Sequence, residues 1–292
     1  MRTGLRIFKK LLGLTLLFTI AAAAWYLADL PDTTKLLKQN PKTSAVRLFR
    51  EEQVREMGKE PHSTMTWRSL SQISPDLAHA VVLSEDDTFF QHHGFDIEQI
   101  KRAARINWER KRFAFGGSTL TQQLARTLYL SSRKNLLRKA KEALITRRLE
   151  KTLPKRRILE LYMNVVEWGP QVYGAEAAAR HFYGKAAIDL TPEEAISLAA
   201  ILPSPLRWNP LSEKKFMAQR KAILYDRMVR ARFITPVVST ETVISPSLEG
   251  ERLSPEDVDP SLENLPDEDS VGLGEPVNDA PRVAPEAEPS AR

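Results

Sequence analysis

Between residues 51 and 235 apolar positions recur at helical spacing and seldom alternate with polar ones, which predicts a mainly α domain. Helices are expected around residues 98–112, 120–130, 135–151 and 155–164. Two starts are marked by their own chemistry. Asp96 precedes Ile97-Glu98-Gln99 as an N-cap with Gln three residues on. Thr191 does the same before Pro192-Glu193-Glu194, with proline at the first helical position, and the apolar run Ala195 to Leu202 that follows is stopped by Pro203 and Pro205. The pattern changes at both ends. Leu11 to Ala28 is an almost uninterrupted apolar run, which as a helix is about 27 Å long, close to the hydrocarbon thickness of a bilayer. Beyond Pro236 eight further prolines alternate with acids and little apolar material, which predicts disorder.

Charge sharpens this division. The chain of 292 residues carries 43 Lys/Arg and 37 Asp/Glu, but three and fourteen of these lie from residue 240 onward, so the tail has a net charge of −11 and residues 1–239 one of +17. A basic body points to an anionic partner: nucleic acid, a phospholipid surface or a phosphorylated substrate. Arg2, Arg6, Lys9 and Lys10 precede the apolar run, so the positive-inside rule keeps the N-terminus cytoplasmic and sends the rest across the membrane. Trp25 and Tyr26 fall where amphipathic rings favour the outer interface. A cleaved signal peptide, with Ala21 to Ala24 as the cleavage region, is the competing reading, and the length of the run favours an anchor. Either way the domain is exported, which removes nucleic acid as a partner. Cysteine is absent, so disulfides, thiolate metal sites and a cysteine nucleophile are excluded. The expected organisation is a basic cytoplasmic segment 1–10, a transmembrane anchor 11–28, a polar stalk 29–50, a catalytic domain 51–235 and an acidic, Pro-rich disordered tail 236–292.

Candidate chemistry concentrates between residues 85 and 164. Glu85-Asp86-Asp87-Thr88-Phe89-Phe90-Gln91-His92-His93-Gly94 gathers acids, aromatics and histidines into ten positions. Gly116-Gly117-Ser118-Thr119-Leu120-Thr121-Gln122-Gln123-Leu124 couples a glycine pair to a polar run at a helix start, and Arg138-Lys139-Ala140-Lys141-Glu142 opens a helix of both charges. Each has an ordinary explanation taken alone: a solvated helix end, a turn, ion pairs on a solvent face. Adjacent histidines diverge and no third spaced ligand accompanies them, so a histidine metal site is not expected. The glycine pair lacks the Gly-Lys-Ser/Thr ending of a nucleotide phosphate loop.

Together these runs resemble a family. Glu85-Asp86-x-x-Phe89-x-x-His92-x-Gly94 is similar to the first signature of the peptidoglycan glycosyltransferases of glycosyltransferase family 51. Gly116-Gly117-Ser118-x-x-Thr121-Gln122-Gln123-Leu124 resembles the second, and Arg138-Lys139-x-x-Glu142 the third. Arg157-Ile158-Leu159-Glu160-Leu161-Tyr162-Met163-Asn164 resembles the fourth, with Met163 where Leu is usual. Leu198-Ala199-Ala200-Ile201-Leu202-Pro203, continuing to Asn209-Pro210, resembles the fifth. Asn164 to Gly169 and Tyr173 to Arg180 are similar to the monofunctional branch. Thr127 departs from a frequent Asn. Ser131-x-x-Lys134 and Ser212-x-x-Lys215 imitate the S-x-x-K of penicillin-binding domains, but neither has the partner motifs and too little folded chain follows residue 235.

The resemblance implies a mainly α, lysozyme-like glycosyltransferase domain with a small membrane-dipping lobe, preceded by one N-terminal transmembrane helix. Phe113, Ala114 and Phe115, behind Arg110, Lys111 and Arg112, are candidates for the dipping part, with ordinary core aromatics as the alternative. The implied reaction joins lipid II units into a β-1,4 glycan: the acceptor 4-hydroxyl displaces undecaprenyl pyrophosphate from the growing chain with inversion, and there is no transpeptidase activity. Glu85 is implied as the base and Glu142 as the second catalytic carboxylate, organising the phosphate site and serving as the candidate ligand for a divalent cation, Mg²⁺ or Mn²⁺; no organic cofactor is expected. Ser118, Gln122, Gln123, Arg138 and Lys139 are candidate substrate-binding groups, and Asp86, Phe89, His92, Gly94, Gly116 and Gly117 support the site. Lys139, Glu142 and Thr146 are expected on one face of their helix, with Leu137, Ala140 and Leu144 forming the opposite stripe that buries. Implied partners are lipid II, the lipid-linked glycan chain, the bilayer of the cell inner membrane and the division or elongation machinery, with the catalytic domain periplasmic. A lytic muramidase and a non-catalytic cell-wall assembly protein are the alternatives.

Overall fold

The computed structural model describes residues 2–111, 116–130 and 136–235. The expectations for 236–292 and for Phe113 to Phe115 therefore lie outside the described residues. Arg2–Ala28 is one continuous helix, α1, so the basic segment is its first part and not a separate unit. Leu12, Leu14, Leu17, Phe18 and Ile20 on it are all exposed. Among the described residues no helix is long and apolar enough to cross a membrane.

Helices α2 (Ala45–Glu56), α3 (Pro75–Glu85), α4 (Ile97–Glu109), α5 (Leu120–Tyr129), α6 (Leu136–Thr152), α7 (Lys155–Val165), α8 (Ala175–Tyr183), α9 (Pro192–Ile201) and α10 (Lys215–Arg230) make the body. The marked starts are real caps. Asp96 accepts the Gln99 N–H at 2.8 Å, and Thr191 and Glu194 form a reciprocal capping box. The core runs through α5, α7 and α9, where Leu120, Leu124, Leu161, Leu198 and Ala199 are fully buried. Helix α3 packs on α9, α5 lies against α6 and α7, and α10 closes over α3 and α9. A small sheet missed by the strand pattern has the order β1 (Thr64–Met65), β3 (Val172–Tyr173), β2 (Glu167–Gly169). β3 pairs in parallel with β1 and antiparallel with β2, and strands of two or three residues are too short to show alternation.

Two expectations of packing change. The segment expected as a stalk lies along the body: Arg148 Nη1 donates to the Leu30 and Pro31 carbonyls, Arg157 Nε donates to the Leu36 carbonyl, and Leu36 is buried. On α6 the apolar stripe points the other way. Leu137, Ala140 and Leu144 are exposed, whereas Arg138, Lys141, Glu142, Ile145, Thr146 and Leu149 are buried. The reason is that the polar groups on the buried face have partners. Lys141 Nζ lies 3.5 Å from Asp29 Oδ2 and 4.2 Å from the Tyr26 ring centroid. Arg138 pairs with Glu142.

Candidate active site

Glu85 is the last residue of α3, and Asp86 turns the chain out of that helix. The turn is held from below. Asp86 is 1% exposed, accepting from His92 Nε2 on Oδ1 and from the Leu120 backbone N–H on Oδ2, both at 2.9 Å. The Gly94 N–H donates to His92 Nδ1 at 3.1 Å, so that nitrogen accepts and Nε2 carries the proton. Phe89 is fully buried, with Lys155 Nζ 4.4 Å from its ring centroid. Gly94 has φ +93, and a Cβ there would stand 2.9 Å from carbons of Thr146 and Glu150, so the loop closes onto α6 only with glycine.

The Glu85 carboxylate is gripped by α5. Gln123 Nε2 donates to Oε2 at 2.9 Å, and Gln123 Oε1 accepts the Tyr162 hydroxyl of α7 at 3.0 Å. Ser84 Oγ reaches Glu85 Oε1 at 3.5 Å and the Ala199 carbonyl at 3.4 Å. Burial pushes the Glu85 carboxyl above its ordinary pKa, opposed by the Gln123 hydrogen bond and by the positive charges of Arg220 and Arg126. Arg220 belongs to α10, where its Nε donates to the Ala200 carbonyl at 3.1 Å and its guanidinium carbon lies 5.0 Å from the Trp208 ring centroid. A cavity of about 140 Å³ opens beside it, lined by Ser84, Ala200, Arg220 and Arg227 among others. A desolvated carboxylate with oriented donors suits a general base.

A second cluster sits at the start of α5 and the first turns of α6. Glu142 is 2% exposed and takes Lys139 Nζ on Oε1 and Arg138 Nη1 on Oε2, the latter at 3.2 Å. Lys139, half-exposed, also donates to Ser118 Oγ at 3.1 Å. The cluster therefore presents an ammonium and a hydroxyl outward, with the guanidinium and carboxylate behind. Thr119, the N-cap of α5, and Gln123 are separated by about 6 Å of helix rise, so one short helix joins the Glu85 contacts to the cations. A divalent cation does not suit Glu142, because both its oxygens already face cationic donors. Among the described residues no group of three or more His, Asp or Glu is placed to hold one.

The family model described as Transglycosylase matches residues 50–229, more than half of the chain. The chain belongs to the transglycosylase family. Its relatives include the biosynthetic peptidoglycan transglycosylase of Nitrosospira multiformis, 43% identical over 66% of this chain and 84% of that one. The protein of the same description from Alcanivorax borkumensis is 42% identical over 76% of this chain and 88% of its own. That from Laribacter hongkongensis is 42% identical over 65% and 83%.

Within this transglycosylase domain the residues singled out from sequence divide by position. Glu85 and Gln123 form one contact group, and Ser118, Arg138, Lys139 and Glu142 the other. Asp86, Phe89, His92 and Gly94 lie beneath the Glu85 turn. Gln122 is turned inward: it is 5% exposed, and its Oε1 accepts the Thr119 N–H at 3.0 Å in a capping box. Gly116 is open, but a Cβ on Gly117 would lie 3.3 Å from Ile100 Cα, so Gly117 admits α4. Sequence reasoning assigned no role to Arg220, Arg126 or Tyr162. Tyr162 stood inside a quoted motif, whereas Arg220 reaches the site only through the packing of α10 and leaves no local signal.

Proposed function

We propose that the protein polymerises peptidoglycan glycan strands, transferring the growing lipid-linked chain onto the 4-hydroxyl of lipid II. The observation that carries this reading is the pairing of a partly buried, hydrogen-bonded carboxylate, Glu85, with the Lys139–Ser118–Arg138–Glu142 cluster one helix away. Relatives named for biosynthetic peptidoglycan transglycosylation support it.

In this mechanism Glu85 takes the proton from the acceptor 4-hydroxyl as that oxygen attacks the anomeric carbon. The bond from that carbon to the pyrophosphate oxygen breaks in the same displacement, and configuration inverts from α to β. Undecaprenyl pyrophosphate leaves with the electron pair. Lys139 stabilises the charge that develops on it, through charge-assisted hydrogen bonds that strengthen as the bond breaks, and Arg138 adds its positive charge from behind. Glu142 holds both cations in place. Gln123 fixes Glu85, so that the base loses little orientation freedom on the way to the transition state.

The reading includes a bilayer. The basic residues at the start of α1 and the exposed leucines along it support attachment of the protein to the cell inner membrane, with the catalytic domain on the periplasmic face. Leu136, Leu137 and Leu144 on α6 and Trp108 on α4, which is 85% exposed, offer further apolar surface to the membrane. The C55 lipid then stays in the bilayer, since exposing each CH₂ costs about 0.8 kcal/mol.

The test is polymerisation of lipid II by the detergent-solubilised full chain, read as glycan bands. Glu85→Gln keeps the shape and removes the proton acceptor, so turnover should fall by roughly two to four orders of magnitude with substrate binding retained. Near-normal polymerisation by this variant would move the base elsewhere. Release of soluble muropeptides from purified cell wall, with no polymer from lipid II, would replace the reading with a lytic one.

A further inference from the structure

We propose that Tyr162 is a positioning residue that locks the carboxamide of Gln123 with its Nε2–H toward Glu85. The proposal rests on Glu85 as the base and concerns what keeps that base oriented. A carboxamide has nearly the same shape after a half-turn about its terminal bond, so only its hydrogen-bond partners decide which end faces where. Here both ends are engaged: Nε2 donates to Glu85 Oε2 at 2.9 Å, and Oε1 accepts from the Tyr162 hydroxyl at 3.0 Å.

The lock works because the ionised Glu85 carboxylate can only accept, while the buried Tyr162 O–H uses Gln123 Oε1 as its acceptor. Tyr162 is 1% exposed on a helix whose neighbours Ile158, Leu161 and Val165 are fully buried, so its ring cannot swing away. Burial, together with the nearby charge of Glu85, pushes its pKa well above the ordinary value, and it remains a protonated donor at any pH at which an enzyme works. A flipped amide would set its carbonyl oxygen against the Glu85 carboxylate and take away the acceptor of the buried Tyr162 O–H. Removing the hydroxyl removes the preference on one side and leaves Gln123 Oε1 without its donor.

The groups facing Glu85 make the test specific. Arg126 comes from α5, Arg220 from α10 and Tyr162 from α7, with Asp86 adjacent in the chain. Of these only Tyr162 acts without charge, so Tyr162→Phe alters the amide and leaves the local field of charges unchanged. The hydrogen bond from Gln123 favours the ionised carboxylate, so weakening it must raise the Glu85 pKa further.

The experiment titrates Glu85 by carbon-13 NMR of carboxyl-labelled full chain in detergent micelles, with the signal assigned by its loss in Glu85→Gln. Tyr162→Phe should raise the Glu85 midpoint by about 0.5–1 pH unit, the scale of one net hydrogen bond. Gln123→Met, close to Gln in size, should raise it at least as much. Adding Tyr162→Phe to Gln123→Met should then change nothing further. In polymerisation assays the acid limb of kcat/KM should move upward with the midpoint while KM for lipid II stays within about twofold. An unmoved midpoint in Tyr162→Phe, or additive shifts in the double variant, would overturn the proposal whatever the wild type does with lipid II. A wild type inactive on lipid II, with the midpoint shifting as expected, would overturn the reading of function and support the lock.

Discussion

Replacing Asp86 by Asn removes one negative charge and changes one atom, yet the hydrogen-bond pattern gives it no good place to sit. The carboxylate accepts from two donors, His92 Nε2–H and the Leu120 N–H. An Asn can accept only one of them, and its amide N–H₂ must then face the other. His92 cannot adapt by moving its proton, because Nδ1 already accepts from the Gly94 N–H. The lost charge-assisted bond is worth about 1.5–3 kcal/mol, and the donor–donor contact adds to the loss. Against this, burial pushes the Asp86 carboxyl above its ordinary pKa, so a neutral side chain recovers part of the desolvation cost. The expected net loss is about 2 kcal/mol, which in a folded unit of this size lowers Tm by about 4–8 °C. Thermal unfolding followed by far-UV circular dichroism in detergent measures it. Because Asp86 adjoins Glu85 in sequence, kcat should also fall at least about tenfold with little change in KM. In a His92→Ala background the same substitution should cost at least about 1 kcal/mol less, since the opposing donor is gone. An unchanged Tm, or strict additivity with His92→Ala, would refute the argument.

Two further outcomes follow from packing. Glu176 is 1% exposed and accepts from Arg68, Arg180 and the Ala187 N–H; burial pushes its carboxyl pKa up, but these donors outweigh it and hold it below the ordinary value. Its stabilisation is therefore complete above the unfolded-state pKa and lost as pH falls through the lowered folded-state one, so Glu176→Gln should cost about 2–3 kcal/mol in urea unfolding at neutral pH and progressively less on acidification. On α6, Ile145→Ala and Leu149→Ala should each cost about 2–5 kcal/mol, while Leu137→Ser and Leu144→Ser should stay within about 0.5 kcal/mol; the reverse order in urea unfolding would restore the stripe that the sequence pattern suggested.

What could be read from sequence was local. Asp96 and Thr191 announce helices because a cap needs only its next three residues, and both caps form as expected. The box made by Thr119 and Gln122 was equally local, but Gln122 lay in a polar run that invited a substrate-binding reading. The face of α6 was misread for a different reason. Amphipathic reasoning assumes that charges face water, and on α6 Arg138, Lys141 and Glu142 are buried while leucines are exposed. Arg220 approaches Glu85 only through the fold, and the Tyr162–Gln123–Glu85 chain depends on contacts across 38 and 39 residues, which no window of sequence displays.

The inverted face of α6 and the grip on Glu85 answer to one physical requirement. Burying a charge costs several kcal/mol unless it is paired and hydrogen-bonded, so buried charges persist where each has a fixed partner. On α6 the Glu142 partners are supplied at short range, Arg138 and Lys139 lying one turn away, while Tyr26 and Asp29 reach Lys141 from the end of α1 and the segment after it. At Glu85 they are supplied from a distance, by Gln123 and by the charges of Arg126 and Arg220. The carboxylate at Glu142 has a cationic donor on each oxygen, Lys139 on Oε1 and Arg138 on Oε2. Glu85 has no ion-pair partner within 4 Å among the described residues, and desolvation raises its basicity. In the proposed mechanism their surroundings thus give the two carboxylates separate roles, one as counter-ion and one as base.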